Sequence, residues 1–223
     1  MNRVLRLALA ALLVPAILSS CALSDGSHDA ADDTGDGTGA DTAGNASSDN
    51  GPETLTVPDR DLEFQVPAGW EAFEDAEGAL EAGTQTEAFE EMAGRAGMEV
   101  EEFADQLLAN TDMFVAAPHA EEGFLDNLNL ISADDTELPS LGATEAQLRA
   151  VGGDVTGSEK VRTDAGRGLL VDYVLDVQGL KIHGTSVAVA VDDDVLTFTT
   201  SSKDVKTAHG VTVMVAESLT PTD

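Results

Sequence analysis

Three apolar-rich segments follow one another in the C-terminal third of this 223-residue chain, and they constrain its fold more than any other feature. They cover residues 168–177, 180–191 and 195–201, and each has the length and composition of a β-strand. The connections Gln178-Gly179 and Asp192-Asp193-Asp194 are short and turn-forming. Because strands joined by such tight turns pair antiparallel, the sequence predicts a three-stranded meander.

Two further strands are predicted before this meander. Residues 62–66 alternate apolar and polar side chains, as a strand with one buried face does. The turn sequence Pro67-Ala68-Gly69 ends that strand and is followed by the only tryptophan, Trp70, which we expect in the core. Residues 124–131 predict a second strand. In this strand we expect the side chains of Phe124, Asp126, Leu128 and Leu130 to lie on one side.

Helices are predicted at residues 86–95, 99–110 and 145–151, and Gly152-Gly153 would end the last of them. Residues 205–219 suit a closing helix, but Val211-Thr212-Val213 inside them also suits a strand, so both interpretations remain open. The order of elements predicts the α+β class, an antiparallel sheet with helices packed against it.

The N-terminal segment has the features of an export signal. Arg3 and Arg6 give a short positive region, and the apolar stretch 7–18 is shorter than the roughly 20 residues that a membrane-spanning helix needs. It ends in Leu18-Ser19-Ser20-Cys21, which resembles the lipobox of bacterial lipoproteins. That resemblance implies a signal peptide at residues 1–20 and a Cys21 that carries a thioether-linked diacylglyceryl group, with acyl chains such as palmitate.

Residues 21–53 predict a disordered acidic linker, since acidic residues alternate there with Gly, Ser, Thr and Ala, and no Lys or Arg occurs. The stretch 32–37 carries alternate oxygen ligands of the kind found in calcium loops, but Ala43 stands where such a loop needs Glu. We therefore expect a solvated linker without metal, followed by one folded domain at 54–223.

The order of the predicted elements resembles the PsbP-like fold. These elements are the strand ending in Val66-Pro67-Ala68-Gly69-Trp70, the acidic helices, the strand at 124–131, the meander and the closing helix. With the lipobox and the linker, the chain is similar to the Lpq-type (LpqN/LpqT-like) lipoproteins of actinobacteria. The resemblance implies a PsbP-like α+β domain outside the cytoplasm, without catalytic activity. It brings no active-site residues to this chain.

Composition and motifs also argue against several activities. The chain has 11 Lys plus Arg against 42 Asp plus Glu, a net charge of −31, which excludes a nucleic-acid-binding surface. One cysteine excludes an internal disulfide and a Cys-rich zinc site. Among the histidines, His28 falls in the linker, His119 in an acidic loop and His183 in a strand, and neither a Gly-x-Ser-x-Gly elbow nor a His-Glu-x-x-His motif occurs. We expect no enzyme, no cofactor and no metal.

The acidic residues are unevenly distributed, because Arg95 is the only basic residue between positions 71 and 137. We expect this half of the domain to be strongly negative, either for solubility or as a docking face for a basic partner or cations.

These features predict a non-catalytic lipoprotein, anchored on the outer face of the cell membrane, that serves as a binding or envelope-associated interaction module. The partner would be an unknown protein or a small apolar ligand. The alternative is a carrier that holds a lipid or other apolar ligand in an internal cavity.

Overall fold

The computed structural model describes residues 51–73, 90, 93–94, 98–109, 111–120, 124–177 and 179–222. Its strands are β1 (Glu53–Thr56), β2 (Leu62–Val66), β3 (Glu71–Phe73), β4 (Met113–Ala116), β5 (Asn127–Ala133), β6 (Gly153–Arg162), β7 (Arg167–Val177), β8 (Leu180–Val191), β9 (Asp194–Ser202) and β10 (Thr220–Pro221). Its helices, within the described part, are α1 (Val100–Leu108), α2 (Leu141–Ala150) and α3 (Val205–Ser218).

The strands form two antiparallel sheets. The large sheet has seven strands in the order β3-β4-β5-β9-β8-β7-β6, and the small sheet has three in the order β1-β2-β10. Helix α3 packs against β8 and β9 of the large sheet and against β2 of the small one. The α+β class expected from the sequence is therefore confirmed, with the small second sheet as an addition.

The face of the large sheet that α3 covers, called here the α3 face, carries the main apolar core. Buried side chains from both sheets and α3 meet there, and Phe64 and Phe198 pack edge-to-face with ring centroids 5.1 Å apart. Trp70 belongs to this core and is 6% exposed, as expected. The small sheet thus packs against this core together with α3.

The opposite face, called here the α2 face, carries a second and smaller apolar cluster. Leu148 of α2 packs there with side chains of β7, namely Leu169, Val171, Tyr173 and Leu175. Leu170 of the same strand points to the α3 core instead. Because side chains alternate along a strand, β7 has apolar residues on both of its faces and lies between two layers.

Most predicted elements are found close to their expected positions. The three meander strands are β7, β8 and β9, and the predicted helix at 99–110 is α1. The predicted helix at 86–95 lies largely outside the described residues. Within it the structure describes Glu90, Ala93 and Gly94, and these three are helical. In the turn after β2, the Trp70 amide donates to the Pro67 carbonyl at 3.2 Å, and Gly69 has a φ of 78°, which favours glycine.

The open question at residues 205–219 is resolved as helix. Asp204 caps α3, since its carboxylate accepts from the Lys206 amide at 2.7 Å. The helix buries Ala208, Val211, Thr212, Val215 and Ala216, which recur at helical spacing on one face. This burial outweighs the strand preference of the β-branched residues.

Several expectations about element boundaries were wrong. The predicted strand at 124–131 begins at Asn127, so that Phe124 and Asp126 precede it. Helix α2 starts at Leu141 instead of residue 145, because the Ser140 hydroxyl caps it by accepting from the Ala143 amide. Strand β1 begins at Glu53, the last residue assigned to the linker.

The sequence also did not reveal β6, a ten-residue edge strand. Only Val155 and Val161 are apolar in it, and most of its side chains are exposed. A bulge between Val155 and Gly157 further disturbs its alternation. Short β1, β3, β4 and β10 were missed as well, since two to four residues are too few for a periodic pattern.

Candidate functional site

The site residues predicted from the sequence lie outside the described residues. They are Cys21 and the lipobox residues Leu18, Ser19 and Ser20. In the part of the chain that the structure describes, no helix has the length and apolar character that crossing a membrane requires. Within that same part, no three His, Cys, Asp or Glu side chains come together as a metal site would require. His119 is exposed, and His183 is half-buried on β8 opposite Ser202.

The feature that stands out in the folded domain is a row of buried polar side chains on the α2 face. In β5 and β9, polar residues alternate with the large apolar residues that point to the α3 core. The row, called here the polar strip, consists of Asn127, Asn129, Thr197, Thr199 and Ser201. Strand alternation places all five on the same face.

The polar strip is buried although polar residues are normally found in contact with water. Asn127 is 0% exposed, Asn129 is 1% exposed and Thr197 is 8% exposed. Their strands lie in the middle of the large sheet, with β4 on one side and β8 on the other. Hydrogen bonds within the protein must therefore replace most of the hydration that these groups lose.

That replacement is incomplete at three oxygen atoms. Asn127 Oδ1, Asn129 Oδ1 and Thr197 Oγ1 have no hydrogen-bond partner among the described residues. A buried polar group without a partner costs about 1–3 kcal/mol of stability. Such groups are few in native proteins, and each of them requires an explanation, such as a bound water or a function.

The orientation of Asn127 is set by its neighbour. Its amide nitrogen donates to the main-chain carbonyl of Leu125 at 2.9 Å. Rotating the amide by a half turn would place two oxygens against each other, so the nitrogen must stay where it is. The unpaired group of Asn127 is therefore an acceptor, and it needs a donor.

A chain of hydroxyls connects the polar strip to the surface. The Ser186 and Thr199 hydroxyl oxygens are 2.8 Å apart, and Ser186 also bonds the Tyr173 hydroxyl. Thr199 is fully buried, whereas Ser186 is partly exposed. Burial raises the pKa of Tyr173 to about 12, against a smaller lowering by the Ser186 bond, so this hydroxyl is neutral at physiological pH.

Small residues on β8 accompany the polar strip. Gly184, Ser186 and Ala188 lie on the α2 face beside Ser201, Thr199 and Thr197, respectively. The Tyr173 ring covers Gly184 so closely that an added Cβ would lie 2.2 Å from its Cζ. This position needs glycine, because the tyrosine ring takes the space of any side chain there.

The α3 face also holds buried polar groups, but these are paired. The Thr212 hydroxyl lies 3.0 Å from the Thr185 carbonyl, to which it donates, and 2.8 Å from the Thr200 hydroxyl. The Thr185 hydroxyl donates to Asp172 at 2.8 Å, and His209 Nδ1 lies 3.0 Å from the same carboxylate oxygen. The polar side chains of the α3 face therefore have hydrogen-bond partners, whereas three oxygens of the polar strip have none among the described residues.

The sequence did not reveal the polar strip, nor the paired polar side chains of the α3 face. A signal for the paired side chains was present, because Asp172 stands between apolar residues in a strand, and such acids usually have a partner. For the polar strip, Asn and Thr alternating with Leu and Phe looks like the solvent side of a strand. Only the structure shows that this side is buried.

Comparisons with known proteins find similarity in structure alone. No protein-family model matches the chain, and no curated protein matches it. The cyanobacterial PsbP protein (CyanoP) from Synechocystis sp. PCC 6803 is similar with a TM-score of 0.48 and 14% identity, over 81% of this chain and 97% of that one. LpqN, which is involved in cell envelope biogenesis of Mycobacterium tuberculosis, is similar with a TM-score of 0.46 and 10% identity, over 80% of this chain and 88% of that one. Structural similarity this remote does not show that the chain shares an activity or a binding partner with either protein.

Proposed function

We propose that this protein is a non-catalytic lipoprotein, anchored through Cys21 on the outer face of the cell membrane, whose folded domain is a binding module. The observation that carries the proposal is the sequence Leu18-Ser19-Ser20-Cys21 directly after a short apolar segment. Small residues before the cysteine let a signal peptidase reach the bond that precedes Cys21, and the thiol can accept the diacylglyceryl group.

The anchor follows from the chemistry of lipidation. Each buried CH₂ group contributes about 0.8 kcal/mol, so two or more acyl chains hold a protein to a membrane where a single chain would exchange. The acidic linker at 21–53 would then extend between the membrane and the domain, since its negative charges repel one another. The excess of acidic residues, which gives the whole chain a net charge of −31, also keeps the domain away from anionic headgroups at close range.

The binding role is supported by the polar strip. Its three unpaired oxygens cost stability in the free protein, and a ligand that donates hydrogen bonds to them would remove that cost. The strip consists of amides and hydroxyls, which neither ionise nor become protonated near neutral pH, and this favours binding over acid–base catalysis. Its polarity also favours a polar ligand over the lipid or other apolar ligand of the alternative hypothesis.

The anchor is tested by replacing the cysteine. Cys21→Ala removes the only thiol, so the variant should be lost from the membrane fraction and carry no lipid. Ser20→Ala is the matched control, because it keeps a small residue before Cys21 and should leave the protein in the membrane. Fractionation and mass spectrometry of the intact protein would measure both.

The native mass should correspond to a chain that begins at Cys21 and carries acyl groups. A Cys21→Ala variant that stays in the membrane, or a native protein with the mass of the bare polypeptide, would contradict the proposal.

A further inference from the structure

We propose that a basic patch on the α2 face binds the acidic linker of the same chain, through the aspartates of residues 29–36. The basic patch consists of Lys160 and Arg162 on β6 and Arg167 on β7, and all three side chains are exposed. The contact needs no lipid on Cys21, so it holds or fails separately from the proposed anchor.

The two arginines of the basic patch stand directly opposite each other. Arg162 pairs with Arg167 in the register of β6 and β7, and Lys160 pairs with Leu169 two residues along. Leu169 belongs to the apolar cluster of the α2 face, so strand alternation places all three basic side chains on that face. Opposite residues of an antiparallel pair have Cβ atoms about 4.5–5.5 Å apart, and like charges there are destabilising. The arginine pair therefore reduces stability unless an anion lies on it.

A well-bonded turn holds the arginines in this position. The Thr163 amide donates to the Gly166 carbonyl at 2.9 Å, and the Gly166 amide donates to the Thr163 hydroxyl at 2.9 Å. Gly166 leaves no room for a side chain, because an added Cβ would lie 2.0 Å from the Ala190 carbonyl oxygen. Packing and hydrogen bonds thus fix the point from which both guanidinium groups start.

Among the described residues, none of the three basic side chains has a hydrogen-bond or ion-pair partner. Asp164, in the turn between the arginines, forms no ion pair with either of them. Other basic residues are matched with acids, since Arg60 bonds Asp194 at 2.5 Å and Lys181 stands opposite Asp176. In a chain with 42 acidic residues, the complement of the basic patch must come from another segment or another molecule.

The predicted linker has the complementary charge. Asp29, Asp32, Asp33 and Asp36 lie within eight residues, and residues 22–52 contain no Lys or Arg. Arginine binds carboxylates through two parallel hydrogen bonds, which suits a pair of arginines to a run of aspartates. Because the linker belongs to the same chain, its effective concentration at the basic patch is about millimolar, and a weak contact is sufficient.

The register of the sheet gives the distance that the linker must cover. The linker ends at Glu53, whose carboxylate accepts from the Gly69 amide at 2.9 Å, two residues before β3. Strand β6 is six strands away from β3. Tyr173 is level with the start of β3, and Arg167 lies six residues from it along β7. With about 4.8 Å between strands and 3.3 Å per residue, the separation is about 35 Å.

This distance selects one part of the linker. Asp49 is four residues before Glu53, so the chain between them spans at most about 14 Å and Asp49 cannot reach the basic patch. Asp36 is 17 residues before Glu53 and can lie up to about 60 Å away. Residues 22–28 would remain between the contact and Cys21. In an anchored protein the contact would therefore also limit how far the domain extends from the membrane.

A second copy of the chain and an anionic membrane are the competing occupants. Strand β6 has Lys160 and Arg162 on the α2 face and Asp154 and Glu159 on the α3 face. Antiparallel pairing of two β6 edges would set like charges side by side on both faces. A membrane would bring its headgroups against neighbouring acidic residues as well, whereas a single chain segment can contact the basic patch alone.

The test couples carboxylates to lysines with a zero-length carbodiimide in the purified full chain and maps the products by mass spectrometry. Lys160 should couple to residues 29–36 and not to Asp49. Lys206, exposed at the start of α3 and outside the basic patch, is the control amine and should couple to the linker at least fivefold less. A mixture of light and heavy isotope-labelled protein should give coupling within single chains only.

Two changes should reduce the coupling of Lys160 to the linker at least fivefold. The first is Arg162→Gln combined with Arg167→Gln, which keeps Lys160 as the reporter. Lys181→Gln, opposite Asp176, is the matched control variant and should leave the coupling unchanged. The second change is 1 M NaCl, at which the Debye length is about 3 Å, and it needs no variant. Circular dichroism would confirm that each variant is folded.

Four results would overturn the proposal. The first is coupling of Lys160 to residues 29–36 that is no more frequent than that of Lys206. The second is coupling that persists without the arginines and in 1 M NaCl. The third is coupling between light and heavy chains, which would assign the basic patch to a second copy. The fourth is loss of the coupling when phosphatidylglycerol vesicles bind the soluble Cys21→Ala chain, which would assign it to a membrane.

Discussion

The two faces of the large sheet hold similar polar residues in different ways. On the α3 face, Thr185, Thr200 and Thr212 are buried and each has a partner. On the α2 face, two Asn and one Thr are buried, and one oxygen of each has no hydrogen-bond partner within the described part of the chain. Paired groups stabilise a fold, whereas unpaired ones reduce its stability and persist where they serve another purpose. The paired polar groups therefore support the fold on the α3 face, whereas the unpaired oxygens on the α2 face are the observation that motivates the proposed binding role.

The largest expected effect concerns the apolar core of the α3 face. Phe198→Ala should reduce the free energy of unfolding by about 3–5 kcal/mol, because a fully buried ring that packs on Phe64 is replaced by a cavity. Denaturant unfolding would measure this loss. A loss below about 1 kcal/mol would show that this face is not the main source of stability.

A second prediction concerns Tyr173 at high pH. Its pKa is raised from 10.0 to about 12 in the folded protein, so between these values the folded state keeps a proton that the unfolded state releases. The free energy of unfolding should therefore fall with rising pH from 10 to 12, by at most about 1.4 kcal/mol per pH unit.

Tyr173 is the only tyrosine, so its ionisation can be followed directly by ultraviolet absorbance. The folded protein should titrate near 12 and the unfolded protein near 10. Tyr173→Phe is the matched control, since it should remove this part of the pH dependence. A folded-state titration near pH 10 would indicate that water reaches the hydroxyl freely.

A third prediction concerns the contact of Tyr173 with β8. Gly184→Ala adds a methyl group that would overlap the tyrosine ring, so it should destabilise the fold by about 1–3 kcal/mol. Gly142→Ala, in helix α2 where nothing lies within 4 Å, is the control and should leave the stability unchanged or raise it by up to about 1 kcal/mol. Equal unfolding free energies for the two variants would mean that the ring does not occupy this place.

The sequence could predict the meander, because β7, β8 and β9 are long, apolar and separated by turn residues. It could not predict β6, which has only two apolar residues. The sequence alone could not decide between helix and strand at residues 205–219. The helix is settled by tertiary packing, since burial of one helical face outweighs the strand preference of its valines. In physical terms, local pattern determines elements with one strong periodicity, and packing determines the others.

The polar strip shows the same limit for the candidate site. Alternation in residues 195–201 predicts two faces, one apolar and one polar, but does not tell whether water or protein covers the polar one. That depends on segments distant in the sequence. The lipobox, in contrast, is a local motif that needs no fold, so the anchor could be proposed from Leu18-Ser19-Ser20-Cys21 alone.

The most direct test of the difference between the two faces compares the same substitution three residues apart on β9. Thr200→Val removes a paired hydroxyl on the α3 face and should lower the free energy of unfolding by about 1 kcal/mol. Thr197→Val removes an unpaired hydroxyl on the α2 face and should raise it by up to about 1 kcal/mol. Opposite signs in denaturant unfolding are the predicted result, and a loss of stability in both variants would contradict the account.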